Sequence, residues 1–242
     1  MTDYDSYTVN NKNPFVRYAH RSRVKIAKNL VTKQLSKSIL DFGCGDGHFL
    51  LEVSKSSDVD HLIGFEPYMA KKKDATEITI YKTWDEVINH VEINNRIETV
   101  VCFEVMEHFS TKSQLANLEK IESIMDEGSS LIISVPIEKG LISLLKNIYR
   151  VLVACDKSED IYTLKNIACS VIGIKTKEMI KIRNKDNYLP HMGFYFNELE
   201  NLLLQLFTLE QKIFSPFPFL PSSLNSQVFF NLKKKSKQTK SY

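Results

Sequence analysis

Residues 38–50 read Ser-Ile-Leu-Asp-Phe-Gly-Cys-Gly-Asp-Gly-His-Phe-Leu. A short apolar run leads to Asp41, and three glycines follow at alternate positions, Gly43, Gly45 and Gly47. Apolar runs on both sides of closely spaced glycines predict a strand, a tight turn and a helix. Glycine reaches backbone angles that are closed to other residues, and it lets a ligand lie against the main chain. The turn therefore predicts a ligand crevice at the start of a helix, where backbone N–H groups are unpaired.

The glycine spacing excludes two common nucleotide motifs. A dinucleotide fingerprint needs a sixth-position glycine, but that position is His48. A phosphate-binding P-loop needs a following Gly-Lys-Ser/Thr, which is absent. The remaining pattern, Asp-x-Gly-x-Gly-x-Gly, resembles motif I of the class I S-adenosylmethionine-dependent methyltransferases. An ordinary glycine-rich turn is the alternative. The resemblance implies that S-adenosylmethionine is the cofactor and that it contacts Asp41, Gly43, Cys44, Gly45 and Gly47.

A second acidic residue supports the same crevice. Residues 61–67 read as the next strand, and Glu66 near its end lies 19 residues after Gly47. Nucleotide-binding folds of this topology place an acid near that position, where it binds ribose hydroxyls. We therefore predict Glu66 as the ribose ligand, although a solvated glutamate before the turn-forming Pro67 is the alternative.

Three further residues are expected in the crevice. A β-branched run at 78–81 predicts a third strand, which leads to Trp84 and Asp85. Relatives of this fold contact adenine at that position, and Trp84 would either stack on the base or pack against the following helix. The fourth predicted strand, 98–103, ends in Phe103, which we also assign to the cofactor site.

Length and composition fit one soluble domain. The chain has 242 residues, of which 43% are hydrophobic and 25% are charged. Strands and helices alternate through the first half, which predicts a mostly parallel sheet. The expected fold is α/β, with a seven-stranded Rossmann-like methyltransferase sheet, an antiparallel C-terminal hairpin and a helical insertion. The predicted segments are an arm and helix (1–35), a cofactor-binding half (36–136), the insertion or cap (137–190), a closing helix and hairpin (191–232) and a basic tail (233–242).

The cysteines and the N-terminus favour a cytoplasmic protein. None of the four cysteines forms a Cys-x-x-Cys pair, and residues 1–5 are polar and acidic, unlike a signal peptide. We therefore expect reduced thiols at positions 44, 102, 155 and 169.

The charge distribution argues against nucleic acid as a partner. The net charge of +3 includes five lysines in the predicted tail, and subtracting them leaves −2 for the body. A near-neutral body does not predict a surface that follows a phosphate backbone. The tail is expected to be a solvated end, with attraction to an anionic membrane as the alternative.

The start of the insertion has apolar residues at helical spacing. Leucine, isoleucine and valine recur between positions 141 and 152, while Lys146 and Arg150 share another face. The helix is too short and too charged to cross a bilayer. It is either a core or cap helix or an interfacial helix that contacts a membrane and admits a lipid-linked substrate.

Two acids and a histidine follow the fourth strand. Glu104, Glu107 and His108 stand at i, i+3 and i+4 and would share one face if the segment is helical. Ligands of open α/β sheets bind beyond the carboxyl ends of the strands, which is where these residues lie.

The Glu-x-x-Glu-His element resembles that of the ubiquinone-type O-methyltransferases and of the small-RNA 3′-terminal 2′-O-methyltransferases. In the small-RNA enzymes the element joins a distant histidine, here His191, to bind a divalent ion. This resemblance implies a Mg²⁺ or Mn²⁺ site at Glu104, Glu107, His108 and His191. Without a metal, His108 and His191 would act as a pocket base and a hydrogen-bonding residue, with Glu104 beside them as a catalytic residue.

The resemblance implies methyl transfer from S-adenosylmethionine to an oxygen of a small-molecule or lipid-linked acceptor, such as a sugar or catechol-like diol. RNA ribose 2′-O-methylation is an alternative, which the acidic body and the lack of an aromatic and basic RNA platform disfavour. A catalytically silent cofactor-binding protein is the other alternative.

Overall fold

The computed structural model describes residues 14–55, 59–68, 78–94, 97–152, 161–186 and 191–235. Three predicted features lie outside the described residues: the arm before residue 14, Cys155, and the end of the basic tail from residue 236. The leading helix was expected within residues 1–35, and it is described from Pro14 to Lys33.

Seven strands and eight α-helices are present in the described part of the chain. The strands are β1 (Ser38–Phe42), β2 (His61–Phe65), β3 (Thr79–Tyr81), β4 (Ile97–Phe103), β5 (Met125–Pro136), β6 (Phe207–Ser215) and β7 (Gln227–Lys234). The helices are α1 (Pro14–Lys33), α2 (His48–Ser54), α3 (Trp84–Asn94), α4 (Thr111–Ile124), α5 (Leu141–Leu152), α6 (Leu164–Ile172), α7 (Lys177–Arg183) and α8 (Phe196–Leu206). Short 3₁₀ turns occur at Met106–His108 and Ser222–Leu224.

The strands form one sheet in the order β3-β2-β1-β4-β5-β7-β6. The first five pair in parallel, whereas β7 is antiparallel to both β5 and β6. This arrangement confirms the predicted α/β fold and its antiparallel closing hairpin. The hairpin places β7 inside the sheet and β6 at the edge, which agrees with a nearly fully buried β7 and a half-exposed β6.

Hydrophobic cores cover both faces of the sheet. Neighbouring residues of its central strands pack into different cores. Leu40 and Phe42 of β1 pack in one core, while Ile39 packs in the other. Alternation of side chains along a strand produces this split. The apolar sequence of the central strands follows from their burial on both faces.

Helix α4 ends at Ile124, and Gly128 lies inside β5 with φ 88°, where the pairing with β4 is irregular. One predicted boundary is wrong. Lys233 and Lys234 do not belong to a tail, since they lie in β7 and their ammonium groups donate to the carbonyls of Gly128 and Glu122. Backbone carbonyls at the ends of neighbouring elements thus give these lysines fixed partners.

The insertion between β5 and α8 contains α5, α6 and α7. Helix α5 packs against α6 and against the 3₁₀ turn at Ser222–Leu224. Among the described residues, no helix has the length and apolar character needed to cross a membrane.

Candidate functional site

The glycine turn joins β1 to α2 in a left-handed backbone conformation. Gly43, Gly45 and Gly47 have φ values of 81°, 54° and 78°, which side-chain-bearing residues rarely adopt. A Cβ on Gly45 would have no heavy atom within 4 Å, whereas one on Gly43 would lie 2.4 Å from Cγ2 of Val105. The turn therefore packs tightly on Val105 at Gly43 and opens into free space at Gly45, where a ligand could approach the backbone.

Glu66 lies beside this turn, where the sequence predicts a ribose ligand. Its carboxylate accepts hydrogen bonds from the backbone N–H groups of Gly45 and Tyr68, each at 3.1 Å. The parallel register of β1 and β2 pairs Phe42 with Phe65 and so brings the two strand ends together. Glu66 thus places an acceptor at the open side of Gly45.

Asp41 and Cys44 are buried residues next to the glycines of the turn. Burial, and then the charge of Glu66, raises the pKa of Asp41 from 3.8 to about 7. Burial also raises the pKa of the Cys44 thiol, and the charge of Asp41 adds to that effect. A Cβ on Gly64 would lie 2.4 Å from Sγ of Cys44, so the thiol is a neutral group packed against β2.

The other predicted cofactor residues have different surroundings. Trp84 packs edge-on against Phe42 and Phe65, with ring centroids 5.7 and 5.2 Å away, and its buried indole N–H has no hydrogen-bond partner. Asp85 is exposed in the first turn of α3. Phe103 is half-buried at the end of β4. Of its two alternatives, Trp84 takes the packing role in this structure, and stacking on adenine stays a prediction.

The segment after β4 is not the continuous helical face expected for Glu104, Glu107 and His108. Glu104 has φ 58°, a strained conformation for a non-glycine residue, and the 3₁₀ turn begins only at Met106. The Glu104 carboxylate instead accepts hydrogen bonds from Gln227 at 2.5 Å and Arg23 at 3.4 Å. Glu104 is therefore held by Gln227 and Arg23, and it is not among the described residues whose ligand atoms cluster at Glu107.

Glu107, His108 and His191 do come together. Each offers one ligand atom, and these atoms all lie within 4.8 Å of one another. The two imidazole rings have centroids 5.1 Å apart. Glu107 is fully buried, and neither of its carboxylate oxygens has a hydrogen-bond partner within the described part of the chain. Burial, and then the charge of Glu104, raises the pKa of Glu107 well above its usual range.

Sequence reasoning missed Glu138, a fully buried carboxylate just after β5. It accepts hydrogen bonds from Lys146 at 3.1 Å and from two nitrogens of Arg150 at 3.1 and 3.2 Å, and Nδ1 of His191 lies 3.8 Å away. Burial would raise the pKa of Glu138, but the charges of Lys146 and Arg150 outweigh it and hold the pKa well below its usual range. The insertion therefore supplies a charged network behind His191.

The insertion also holds the turn that carries Glu107. Arg183 of α7 is buried and donates hydrogen bonds to the carbonyl oxygens of Glu107 and, at 2.8 Å, of Phe109. Asp186 accepts from the N–H of Ser110 at 2.9 Å, just before α4. Arg183 was missed as well, because no motif links it to residues 74 or more positions away.

The acid–histidine cluster, defined as Glu107, His108 and His191, adjoins the glycine turn. Val105 lies between Glu104 and the 3₁₀ turn, and its side chain packs on Gly43. Both groups thus lie at the carboxyl ends of neighbouring strands, β1 and β4. A ligand in the turn would lie next to a group of carboxylate and imidazole side chains suited to acid–base or metal chemistry.

A family model described as a methyltransferase domain matches residues 15–168, more than half of the chain. The chain belongs to this family. It is a class I S-adenosylmethionine-dependent methyltransferase, and therefore an enzyme. The matched region includes the glycine turn, Glu66, and the segment with Glu107 and His108. No curated protein matches the sequence.

Solved structures of similar fold are methyltransferases of several kinds. The plantazolicin methyltransferase BpumL with a bound substrate analogue is 16% identical, with a TM-score of 0.56 over 96% of this chain and 93% of its own. The magnesium protoporphyrin IX methyltransferase from Synechocystis PCC 6803 is 13% identical, with a TM-score of 0.52 over 93% and 89%. The N-methyltransferase NodS from Bradyrhizobium japonicum WM9 is 11% identical, with a TM-score of 0.51 over 93% and 99%. At these identities the likeness shows the fold alone.

Proposed function

We propose that this methyltransferase transfers the methyl group of S-adenosylmethionine to a hydroxyl oxygen of a small-molecule or lipid-linked acceptor, such as a sugar or a diol. The sulfonium carbon bond breaks as the oxygen–carbon bond forms, the hydroxyl proton passes to a base or to water, and S-adenosylhomocysteine leaves. The observation that carries this proposal is the buried, unpartnered carboxylate of Glu107 beside two imidazoles, next to the glycine turn.

The cofactor side of the proposal uses residues of the turn and β2. Open space over Gly45 admits the cofactor to the backbone, and the Glu66 carboxylate is available to ribose hydroxyls. A bound S-adenosylhomocysteine in two structures of similar fold supports the choice of ligand. Asp41, Gly43, Cys44, Gly47, Trp84, Asp85 and Phe103 complete the proposed cofactor site.

The acceptor hydroxyl must be activated, because a sugar hydroxyl is a weak acid and a poor nucleophile at neutral pH. Positioning supplies part of the rate, and a base or a metal ion supplies the rest. In the metal-free version, His108 or His191 receives the hydroxyl proton. Glu138 stands 3.8 Å from Nδ1 of His191, so a proton on Nδ1 would leave Nε2 available as the accepting atom.

The residues also fit a divalent cation. Both oxygens of Glu107 are buried without a partner among the described residues, and two imidazoles lie within reach of the same point. Carboxylate and imidazole donors suit Mn²⁺, and Mg²⁺ with added water. Glu107, His108 and His191 would hold the ion, with Glu104 outside the cluster. When bound, the ion would lower the pKa of a hydroxyl coordinated to it.

The first experiment identifies the acceptor and separates the two versions. Purified protein is incubated with methyl-labelled cofactor and fractionated cell extract, and the labelled product is identified. Labelling of an oxygen in a sugar or diol supports the proposal, whereas labelling of RNA or of a nitrogen contradicts it. The same assay is repeated after chelation and after addition of Mg²⁺ or Mn²⁺.

Variants then test the residues of the cluster. We expect Glu107→Gln, together with one or both of the histidine variants His108→Asn and His191→Asn, to lower the turnover rate by about 10²-fold to 10⁴-fold, the scale of a lost acid–base or ligand group. The affinity for S-adenosylhomocysteine should be unchanged. Loss of activity on chelation with recovery on Mn²⁺ favours the metal version. Insensitivity to chelator, with one histidine variant alone impaired, favours the base. Full activity in both histidine variants contradicts both.

A further inference from the structure

Large apolar side chains are exposed along one rim of the molecule, which we call the apolar rim. Phe219 is 85% exposed and Leu145 is 55% exposed, although both are hydrophobic. Isolated exposed apolar residues are common, but a contiguous group marks an interaction surface. The rim consists of Tyr18 in α1, Leu141, Leu145, Ile148 and Tyr149 in α5, and Phe217 and Phe219 in the loop before the second 3₁₀ turn.

The three parts of the rim are in contact. The rings of Tyr18 and Phe217 have centroids 6.0 Å apart, which joins α1 to the loop. A Cβ on Gly140 would lie 2.8 Å from Cα of Ser223, which joins the start of α5 to the turn that follows the loop. The rim is therefore one surface assembled from residues far apart in the sequence.

The loop with the two phenylalanines is held in place from beneath. The buried side chain of Asn225 accepts a hydrogen bond from the N–H of Phe217 at 2.8 Å and donates to the carbonyls of Phe217 and Leu220 at 2.9 and 3.1 Å. Such a side-chain network fixes the backbone of a loop. The exposure of Phe217 and Phe219 thus follows from a fixed loop conformation.

Helix α5 has opposite characters on its two faces. Its only charged residues, Lys146 and Arg150, point inward and bind the buried carboxylate of Glu138. The residues Leu141, Leu145, Ile148 and Tyr149 recur at i, i+4, i+7 and i+8 and form the outer face. This outer face is apolar and carries no charge, which is typical of a helix that lies in a membrane interface.

Within the described elements that form the rim, the charged residues are all positive. Helix α1 contains six lysine and arginine residues and no acid, and neither α5 nor residues 216–224 contain an acid. Arg21 and Lys25 are exposed near Tyr18 in the same helix. Basic residues next to an apolar surface complement anionic lipid headgroups. A symmetric contact between two copies would bring two basic α1 helices together, and like charges disfavour that arrangement.

We propose that the apolar rim docks on an anionic phospholipid membrane. Leu145, Ile148 and Phe219 enter the interfacial region, and Arg21 and Lys25 contact the headgroups. Arg23 of α1 binds Glu104, and the inner face of α5 binds Glu138, so the docked rim lies along the edge of the candidate site. An acceptor anchored in the membrane would then reach the site without leaving the lipid surface.

Vesicle sedimentation tests this proposal without cofactor or acceptor, so its result is independent of the proposed function. The full chain is mixed with vesicles of phosphatidylcholine alone or with one quarter phosphatidylglycerol. We expect binding to the anionic vesicles, reduced at least about tenfold at high salt, since salt screens the attraction between basic residues and anionic headgroups. The double variant Leu145→Glu/Ile148→Glu should bind at least about tenfold more weakly, because two buried apolar groups are lost.

Matched controls separate docking from misfolding. Ile93 of α3 is exposed outside the rim, so Ile93→Glu should bind vesicles as the unaltered protein does. Phe219→Ser serves as a second rim variant on a different element, and all variants are first checked by thermal unfolding and S-adenosylhomocysteine binding.

Three results would overturn the proposal. The first is absence of vesicle binding, or equal binding to neutral and anionic vesicles. The second is unchanged binding in both folded rim variants. The third is a stable dimer that the rim variants dissociate, or salt-sensitive binding of single-stranded RNA that they abolish. A second copy or a nucleic acid would then be the occupant of the rim.

Discussion

The glycine crevice and the acid–histidine cluster lie side by side but are assembled differently. The crevice comes from two consecutive strand ends, Asp41 to Gly47 and Glu66, whose positions follow from one parallel pairing. The cluster combines Glu107 and His108 with His191, more than 80 residues later, and relies on Glu138 and Arg183 of the insertion. The crevice is therefore formed by neighbouring strands of the sheet alone. The cluster forms only when the insertion packs against the sheet.

The largest effect is expected from Gly45→Val, which fills the open side of the crevice. A valine there occupies the ligand's space, so affinity for S-adenosylhomocysteine should fall at least a thousandfold, roughly 4 kcal/mol. Calorimetry measures this. Gly173→Val is the matched control, because Gly173 also has positive φ and no atom within 4 Å of an added Cβ. Equal loss in both variants would mean that backbone strain, and not ligand exclusion, is the cause.

On the cluster side, Glu138→Gln should lower the free energy of unfolding by about 3–5 kcal/mol, because Lys146 and Arg150 lose a buried partner. Urea denaturation checks this value. The exposed pair of Glu198 with Lys175 is the control, and Glu198→Gln should cost at most about 1 kcal/mol. If Glu138→Gln lowers stability but leaves turnover intact, Glu138 does not position His191.

In the absence of ligand, we expect Asp41→Asn to raise the free energy of unfolding at high pH but not at low pH. The folded state raises the pKa of Asp41 from 3.8 to about 7, so it binds this proton more tightly than the unfolded chain does. The resulting stability is fully present below about pH 4 and is lost as the pH rises to about 7. The asparagine resembles the protonated acid, so at pH 8 the gain should be about 2–4 kcal/mol.

The increase in the free energy of unfolding caused by Asp41→Asn should become steadily smaller as the pH falls towards 4. Denaturation at several pH values provides the measurement, with Asp60→Asn as an exposed control. A gain that is equal at all pH values would show that the carboxyl group of Asp41 is not the cause.

The smallest effect is expected for Glu66→Ala, which should weaken S-adenosylhomocysteine binding by about 1–3 kcal/mol, the value of charge-assisted hydrogen bonds to ribose. Glu98→Ala is a close control, since Glu98 is also exposed and accepts a backbone N–H, that of Lys37 at 2.6 Å. Calorimetry should show no change for this control. Unchanged affinity in Glu66→Ala would place the ribose elsewhere.

The two regions also differ in how well the sequence predicted them. The glycine turn and the nearness of Glu66 were predicted, because glycine spacing and strand ends are local properties. Glu104, Glu107 and His108 were expected to share one face only if the segment is helical. That condition is not met, because the chain turns with φ 58° at Glu104 before a single 3₁₀ turn. Local spacing does not reveal which conformation a strand end adopts.

The sequence contains one signal for a buried acid such as Glu138. Lys146 and Arg150 lie four residues apart on a helix that has no other charged residue, and two cations on a packed face require an acidic partner. The sequence placed them on one face, but no spacing rule connects them to a carboxylate that follows β5. The ion pairs of Lys146 and Arg150 with Glu138 follow only from the packing of α5 against the end of the sheet.

By itself, the sequence determined the seven-stranded fold and the closing hairpin, because hydrophobic periodicity and glycine placement act over a few residues. Its resemblance to motif I indicated the family. The tertiary structure alone decided that Glu104 binds Arg23 and Gln227, and that Glu138 stands behind His191. The reason is physical. Buried carboxylates take their pKa and their partners from groups that folding brings near, and those groups are separated by dozens of residues along the chain.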